Sequence, residues 1–420
     1  MKKLCVNLAL AILTIGIISS CQKEKMNVDA NAPAMALKDL NYLEDITANP
    51  SKYEAVIEKN QKKMDADLQV LKLKIEKLKE ERIQPIDYQD VTLRSGNSPI
   101  RVPQDYPSLQ EAVNHSQPGG KIFIQGTVAE PGDVLVSVSG LTIQGQGSSP
   151  TISGSTLVIT ATGVTVQNLN VNMATVISGT TNTTLMNSTF SATNNVGTIG
   201  VLLFMNSSSN SIKNCTVDGA YSGGSYGFGL YLDNSSNYNT IENCTSKNTY
   251  GPNNESTSAA FGIDGADNSI KNCTALNFTR GFSSFSNESI NNQFKGCVAN
   301  NSINDAGFVF FPAQSNLTIE NCTANNCSSD GFFIFGGSGV VSNCIANSNS
   351  VGIVIVFTDV LLEKGNYNNN GQVGIYLFSV NNAAIKKNKS TGNPVCDFNQ
   401  TLCSGNTITG NTFGTNCTGL

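Results

Sequence analysis

From Ile122 onward, an apolar position returns every 19 to 29 residues inside the same short phrase. The phrase is an aliphatic residue, a polar residue and Asn: Ile212-Lys-Asn214, Ile241-Glu-Asn243, Ile270-Lys-Asn272, Ile319-Glu-Asn321 and Val341-Ser-Asn343. Looser copies are Ile122-Phe-Ile124, Ile143-Gln-Gly145, Val166-Gln-Asn168, Leu185-Met-Asn187, Phe294-Lys-Gly296, Leu362-Glu-Lys364, Ile385-Lys-Lys387 and Ile408-Thr-Gly410, which makes thirteen turns. Between them lie short Val, Ile, Phe and Thr runs broken by Gly, Asn and Ser, a strand-and-turn signal without helical period. Repeats of this length build solenoids, in which each turn stacks on the last. Thirteen turns at one inter-strand spacing each give a rod of roughly 60 Å.

Within a turn, the aliphatic residue ends a strand pointing inward. The Asn then takes a left-handed bend, which Asn and Gly tolerate best, so Gly145, Gly296 and Gly410 are expected to bend in the same way. Stacked Asn side chains can hydrogen-bond along the axis. In six turns the next residue is Cys: Cys215, Cys244, Cys273, Cys297, Cys322 and Cys344. A column of such thiols is expected to be reduced and buried, packing as small hydrophobes. Among the remaining cysteines, Cys396–Cys403 is the expected bridge, closing the C-terminal cap, while Cys327 has no assigned role. No His accompanies them, so no metal site is expected.

The chain before the solenoid has a different pattern. Residues 38–84 are rich in Lys, Glu and Leu and lack Gly; Ile57, Met64, Leu71 and Leu78 recur every seven residues, with Leu68 and Ile75 between them. This is a heptad stripe on a helix, interrupted by Gln61. Two outcomes are open: self-association through residues 57–78, or packing of the 53–84 helix on the solenoid. Residues 85–99, with Pro85 and Ser95-Gly-Asn-Ser-Pro99, read as a linker.

Met1-Lys-Lys3, an apolar run from Leu4 to Ile18 and Ser19-Ser20-Cys21 form a secretory signal that resembles a bacterial lipoprotein signal. The resemblance makes residues 1–20 the signal peptide, Cys21 the lipid-modified anchor to the membrane and residues 21–37 a flexible tether. Gln22-Lys-Glu24 resembles the surface-export signal of Bacteroidetes lipoproteins. The expected location is therefore the outer membrane, facing the cell surface, with a periplasmic face as the alternative. With 14% charged residues and a net charge of −5, nothing argues electrostatically for nucleic acid.

The solenoid's entrance carries a second resemblance. Val102-Pro-Gln-Asp-Tyr-Pro-Ser-Leu-Gln-Glu-Ala-Val113, followed by Pro118-Gly-Gly-Lys-Ile-Phe-Ile124, is similar to the start of right-handed parallel β-helix proteins, pectate-lyase-like and NosD-like members included. Ser108 and Glu111 form a capping box for a short helix whose Leu109 and Val113 lid the first coil. The resemblance spans residues 100–413, leaving 414–420 as a tail. It implies an all-β, right-handed parallel β-helix of about thirteen coils after an α-helical segment.

That fold hosts pectate lyases, polygalacturonases, pectin methylesterases, tailspikes and non-enzymatic NosD-like periplasmic proteins, and fold alone does not choose among them. The polygalacturonase motif set is absent, and the single histidine, His115, lies at the capping helix. Pectate lyases use an Arg or Lys base with carboxylate-held calcium. The resemblance therefore points to Arg280, with Asp233 and Asp264 as acids on the two preceding rungs, and to Ca²⁺ as a cofactor only if the chain is a lyase. Solvated turn charges explain the same three residues equally well.

Gly-led strands such as Gly229-Leu-Tyr-Leu-Asp233 and Gly331-Phe-Phe-Ile-Phe335 alternate in and out. Leu230, Leu232, Phe308, Phe310, Phe332, Ile334, Ile375 and Leu377 are expected inside. Tyr231, Phe285, Phe311, Phe333, Phe335, Tyr376 and Phe378 are expected outside, as a row on which sugar rings could stack. The competing expectation is that a loop or the 53–84 helix lies over the row. The functional expectation is an envelope lipoprotein that binds polysaccharide along this row and, in one version, cleaves it. A structural or adhesive solenoid and a NosD-like accessory protein are the alternatives.

Overall fold

The structure, a computed structural model, describes residues 50–82, 98–192, 200–219, 227–249, 258–286, 288–303, 305–310 and 315–418. The side chains of residues 50–61, 63 and 64 fall outside this description, as do Cys21 with the signal and tether, residues 38–49, most of the linker and Phe311.

All strand pairings are parallel, with partners one turn apart, so the chain is a parallel β-helix. Each turn supplies up to three short strands. The first face contains the phrase residues, as in Thr240–Glu242; the second includes Thr245–Thr249; the third includes Ala259–Ile263. The thirteen phrase residues, preceded by Ile100, stand opposite one another in one unbroken ladder running from Ile100↔Ile122 to Ile385↔Ile408.

The bend after the phrase is left-handed, with φ between 50° and 55° at Asn168, Asn187, Asn214, Asn243, Asn272, Asn321 and Asn343. Gly296 and Gly410 follow suit, and Lys364 and Lys387 adopt the same conformation. Gly145 does not: its φ is not positive, and it continues the strand Thr142–Ile159. Its lack of a side chain serves close packing instead, because a Cβ there would collide with the Asn168 carbonyl one turn on.

Asn ladders run along the axis in several places, and two of them flank the phrase in the middle turns. The exposed one links Asn187 to Asn168, Asn214 to Asn187 and Asn243 to Asn214 at 3.1–3.3 Å. The second is buried, and the phrase reading missed it. Asn210 donates to Asn239 (3.0 Å), Asn239 to Asn268 (3.1 Å), and the Asn268 backbone to Asn292 Oδ1 (2.8 Å). Each member stands two residues before its aliphatic phrase residue, so the signal lay in the same repeat. These amides satisfy backbone groups that the turn would otherwise bury unpaired.

The six ladder thiols are free and buried, each with the carbonyl two residues back within S–H hydrogen-bond reach, and from Cys244 onward with the phrase carbonyl of the preceding turn as a second acceptor. Burial holds Cys273, Cys297 and Cys322 above the usual thiol range. Next to them, Phe261, Phe282, Phe308 and Phe332 stack inward with centroids 4.7–4.8 Å apart. Leu230, Leu232, Phe310, Ile334, Ile375 and Leu377 share this core, as the alternation requires.

The expected Cys396–Cys403 bridge is not formed; Cys396 pairs with Cys417, Cα–Cα 6.1 Å, and Cys403 is free. In a solenoid, spatial neighbours are one turn away. Cys396 and Cys417 lie on adjacent rungs, 21 residues apart, whereas Cys403 sits in the bend that follows Cys396 on its own rung.

Among the described residues, two helices accompany the solenoid. In α2 (Leu109–Asn114), the Ser108 side chain caps Glu111 N, and Leu109 and Val113 close the first coil. Instead of Glu111, Glu130 accepts from Leu109 N (2.5 Å) and Gln110 N (3.4 Å) at the helix start. The long helix α1 (Pro50–Arg82) lies on the third face. Leu68, Leu71, Ile75 and Leu78 pack on Leu135, Val158, Val176, Leu203, Met205, Phe228, Tyr231 and Ala259. Of the 57–78 stripe offered for self-association, Leu68, Leu71, Ile75 and Leu78 are thus used against the solenoid, while the side chains of Ile57 and Met64 lie outside the description. Among the described residues, no helix is long and apolar enough to cross a membrane.

Candidate functional site

The third face and the bends that follow it position the described residues that the sequence offered for glycan binding or catalysis. Several third-face strands turn their corner at a glycine, as at Gly229, Gly281, Gly307, Gly331, Gly352 and Gly374, while Ala260 holds that place in Ala259–Ile263, where Gly262 points outward instead, and Asp397 holds it in Cys396–Thr401. A Cβ on Gly281 would come within 2.8 Å of Ala299 Cβ, and one on Gly307 within 2.9 Å of Ala324 Cβ. Beyond the corner, alternation sends two columns outward. One runs Leu203, Tyr231, Gly262, Ser283, Val309, Phe333, Val354, Tyr376 and Asn399.

The outward register is therefore as expected, but the row is not an open platform. Tyr231 is buried with the rings and aliphatic side chains beneath α1. Phe333, Phe335, Tyr376 and Phe378 are 1–3% exposed and form a second apolar cluster with Val309, Val354, Val356 and Cys396. Phe285 is half-buried at the edge of that cluster. Phe311 lies outside the described residues. Alternation along a strand reports direction only; what covers a face comes from distant chain.

Between the two apolar clusters is a polar stretch, and it divides in two. On one side, Tyr231 Oη donates to Asp264 Oδ2 (2.8 Å) and Phe285 N donates to Oδ1 (2.7 Å). Burial raises Asp264 to about 6 and holds Tyr231 well above the phenol range. Asp233 accepts from Asn206 N (3.0 Å), Ser235 N (3.2 Å) and Ser236 Oγ (2.7 Å), closing a bend, and burial raises its carboxyl as well.

On the other side stands Arg280, 2% exposed. Its Nε donates to Asp305 Oδ2 (2.5 Å), its Cζ lies 4.9 Å from the Phe285 ring centroid, and its Nη1 is buried without a partner. Asp330 stands two rungs further along the Arg280 column, and burial, with Asp305 adding to it, raises its carboxyl to about 8. The structure thus separates Arg280 from Asp233 and Asp264 and gives it Asp305 instead. The sequence contained a cue: Arg280-Gly281 and Asp330-Gly331 hold the same place before their corner glycines.

The geometry leaves little room for acid–base chemistry. Both oxygens of Asp264 and of Asp233 already accept hydrogen bonds from within the fold. The guanidinium is paired and desolvated. The Ca²⁺ of a lyase needs carboxylate oxygens free to coordinate, and these two acids do not fit that demand. Among the described residues, no cluster of three His, Cys, Asp or Glu is placed to hold a metal. His115 is at the cap, stacked on Tyr106 with centroids 4.5 Å apart.

Residues 200–362 match a family described as right-handed β-helix region. No curated protein sequence matches the chain. Among solved structures, the catalytic domain of a GH87 alpha-1,3-glucanase in complex with nigerose is similar at a TM-score of 0.51 and 14% identity, over 77% of this chain and 68% of that one. A mannuronic acid-specific polysaccharide family 6 lyase from human gut microbiota is similar at 0.50 and 13%, over 74% and 82%. At such identities the likeness is one of fold.

Proposed function

We propose that this chain is an outer-membrane lipoprotein, anchored through Cys21 and facing the cell surface, whose β-helix binds polysaccharide along the third face without cleaving it. The observation that carries the non-catalytic reading is the engagement of each candidate group. Asp233 and Asp264 hold backbone and side-chain donors, and Arg280 is neutralised by Asp305. A general acid or base must reach a proton on the substrate, and these groups are aimed into the fold. Polysaccharide as the ligand class is supported by the two similar structures, one holding nigerose and the other specific for mannuronic acid. A purely structural or adhesive solenoid is the second reading, favoured by the burial of the outward rings.

A glycan array followed by an ultraviolet assay for unsaturated uronate products, with and without calcium, tests the main reading. Binding without product is expected. Product formation that Arg280→Ala abolishes would overturn the non-catalytic part, and an empty array would favour the structural solenoid. Loss of fatty-acid labelling in Cys21→Ser, together with proteinase sensitivity on intact cells, tests the anchor and its orientation.

A further inference from the structure

Charge is unevenly distributed along the solenoid. In the middle turns, outward lysines meet acids one rung away: Lys213–Glu242 (3.4 Å), Lys247–Asp218 (3.1 Å) and Lys295–Glu320 (3.3 Å). That pattern stops at Glu363, whose Oε1 takes the Lys364 ammonium on its own rung (3.0 Å). From Lys364 to Cys396 every charged side chain is a lysine: Lys364, Lys386, Lys387 and Lys389. Asp397 follows, but it is 2% exposed and held by Asn393 and Thr415. Beyond Asp397 the sequence has no charged side chain. The exposed side-chain charge of the last rungs is therefore wholly positive, in a chain whose net charge is −5.

These lysines share one corner. Lys364 and Lys387 occupy the phrase bends of adjacent rungs, and Lys364 N donates to Lys386 O (3.0 Å). Lys386 ends the first-face strand Ala384–Lys386, and Lys389 opens the second-face strand Lys389–Ser390. The register places exposed Thr409 beside Lys386 and exposed Thr412 beside Lys389.

Local folding does not account for the two bend lysines. Every other left-handed phrase bend holds Asn or Gly, whereas Lys364 and Lys387 stand at φ 56° and 55°. A long L side chain is disfavoured in that conformation, and unlike Asn it cannot extend an amide ladder along the axis. Two successive turns thus keep a residue that the backbone disfavours and that adds positive charge. Retained strain of this kind concentrates where a side chain serves binding.

We propose that Lys364, Lys386, Lys387 and Lys389 form a binding corner for an acidic polysaccharide, one whose sugars carry carboxylate or sulfate groups. Ammonium groups on rungs about 4.8 Å apart are spaced to meet acid groups on neighbouring sugars. The Thr409 and Thr412 hydroxyls beside them suit sugar hydroxyls. This corner lies between the first and second faces, so it is separate from the third-face reading and stands or falls without it.

The test uses the full chain and a double variant, Lys364→Asn with Lys387→Asn, which gives both bends the residue that the repeat prefers. The probes are polymannuronate, dextran sulfate, neutral dextran and phosphatidylglycerol vesicles, each at low and high salt. Expected is binding of an acidic polymer but not of dextran, weakened by salt. The double variant is expected to melt no lower than the unmodified protein and to bind that polymer roughly tenfold more weakly, the value of two exposed charge pairs. A bend charge that serves no ligand would change the melt alone. Lys386→Gln with Lys389→Gln is expected to weaken binding likewise. Binding of only one acidic polymer supports the proposal and identifies the acid group. The proposal is overturned by no binding of either acidic polymer, by equal binding of dextran, by unchanged binding in both double variants, or by preference for the vesicles over both polymers.

Discussion

Tyr231 and Asp264 join neighbouring rungs of the third face through a 2.8 Å hydrogen bond from the phenol to the buried carboxyl. Tyr231→Phe keeps the ring and strands one carboxylate oxygen. The expected loss is about 1–3 kcal/mol, larger at pH 8, where Asp264 is ionised, than at pH 4, where it is protonated. Denaturant melts at the two pH values check this; equal losses would place the proton elsewhere.

Asp330 sets the direction of a second pH effect. Its folded pKa, about 8, lies above the ordinary 3.8 because burial disfavours its charge. A raised folded pKa favours the folded state while the group is protonated, so this contribution is full below pH 3.8 and is lost as pH climbs towards 8. Asp330→Asn is expected to match the unmodified protein near pH 4 and to exceed it by roughly 1–3 kcal/mol at pH 8.5. A stability-versus-pH series reads this out, and a variant equally displaced at both ends contradicts it.

The cysteines should separate by chemistry. Cys403, the only free thiol among the described residues that is not buried, is expected to be alkylated first in the native protein, the ladder thiols only on unfolding. Peptide mass mapping after brief iodoacetamide treatment distinguishes them. Cys417→Ser should cost about 3 kcal/mol through the lost loop closure, while Cys403→Ser should cost far less.

The buried amide ladder gives a stronger effect than the exposed one. Asn239→Ala removes the acceptor of Asn210 and the donor to Ser207 O and Asn268, leaving several buried groups unpaired. A loss of about 2–4 kcal/mol is expected. Asn243→Gly, on the exposed ladder at φ 54°, should change stability by less than about 1 kcal/mol, because Gly accepts that backbone freely. Paired thermal melts decide between them.

Sequence legibility followed the periodicity. The phrase from Ile122 to Ile408 was enough to number the rungs, and alternation after Gly229 or Gly331 separated Leu230 from Tyr231 correctly. What failed required knowledge of the neighbouring turn or of distant chain. Proximity in sequence pairs Cys396 with Cys403 on its own rung, whereas the bridge runs across to Cys417. The phrase pattern predicts a bend at Gly145, whereas the glycine there relieves a clash with Asn168. The burial of Tyr231 depends on Leu71 and Ile75, more than 150 residues away in sequence. Asp305 and Asp330 are not legible in the sequence because an acid near a corner glycine resembles an ordinary turn.

The unbroken ladder from Ile100 to Ile408 has an evolutionary corollary. Inserting or deleting one whole turn leaves every remaining rung paired, so the protein can change length only in quanta of about 5 Å. Each such change slides all outward residues beyond it past the fixed heptads of α1. A homologue with an added turn before Phe228 would therefore need about three more helical residues to keep the same rings beneath the same leucines.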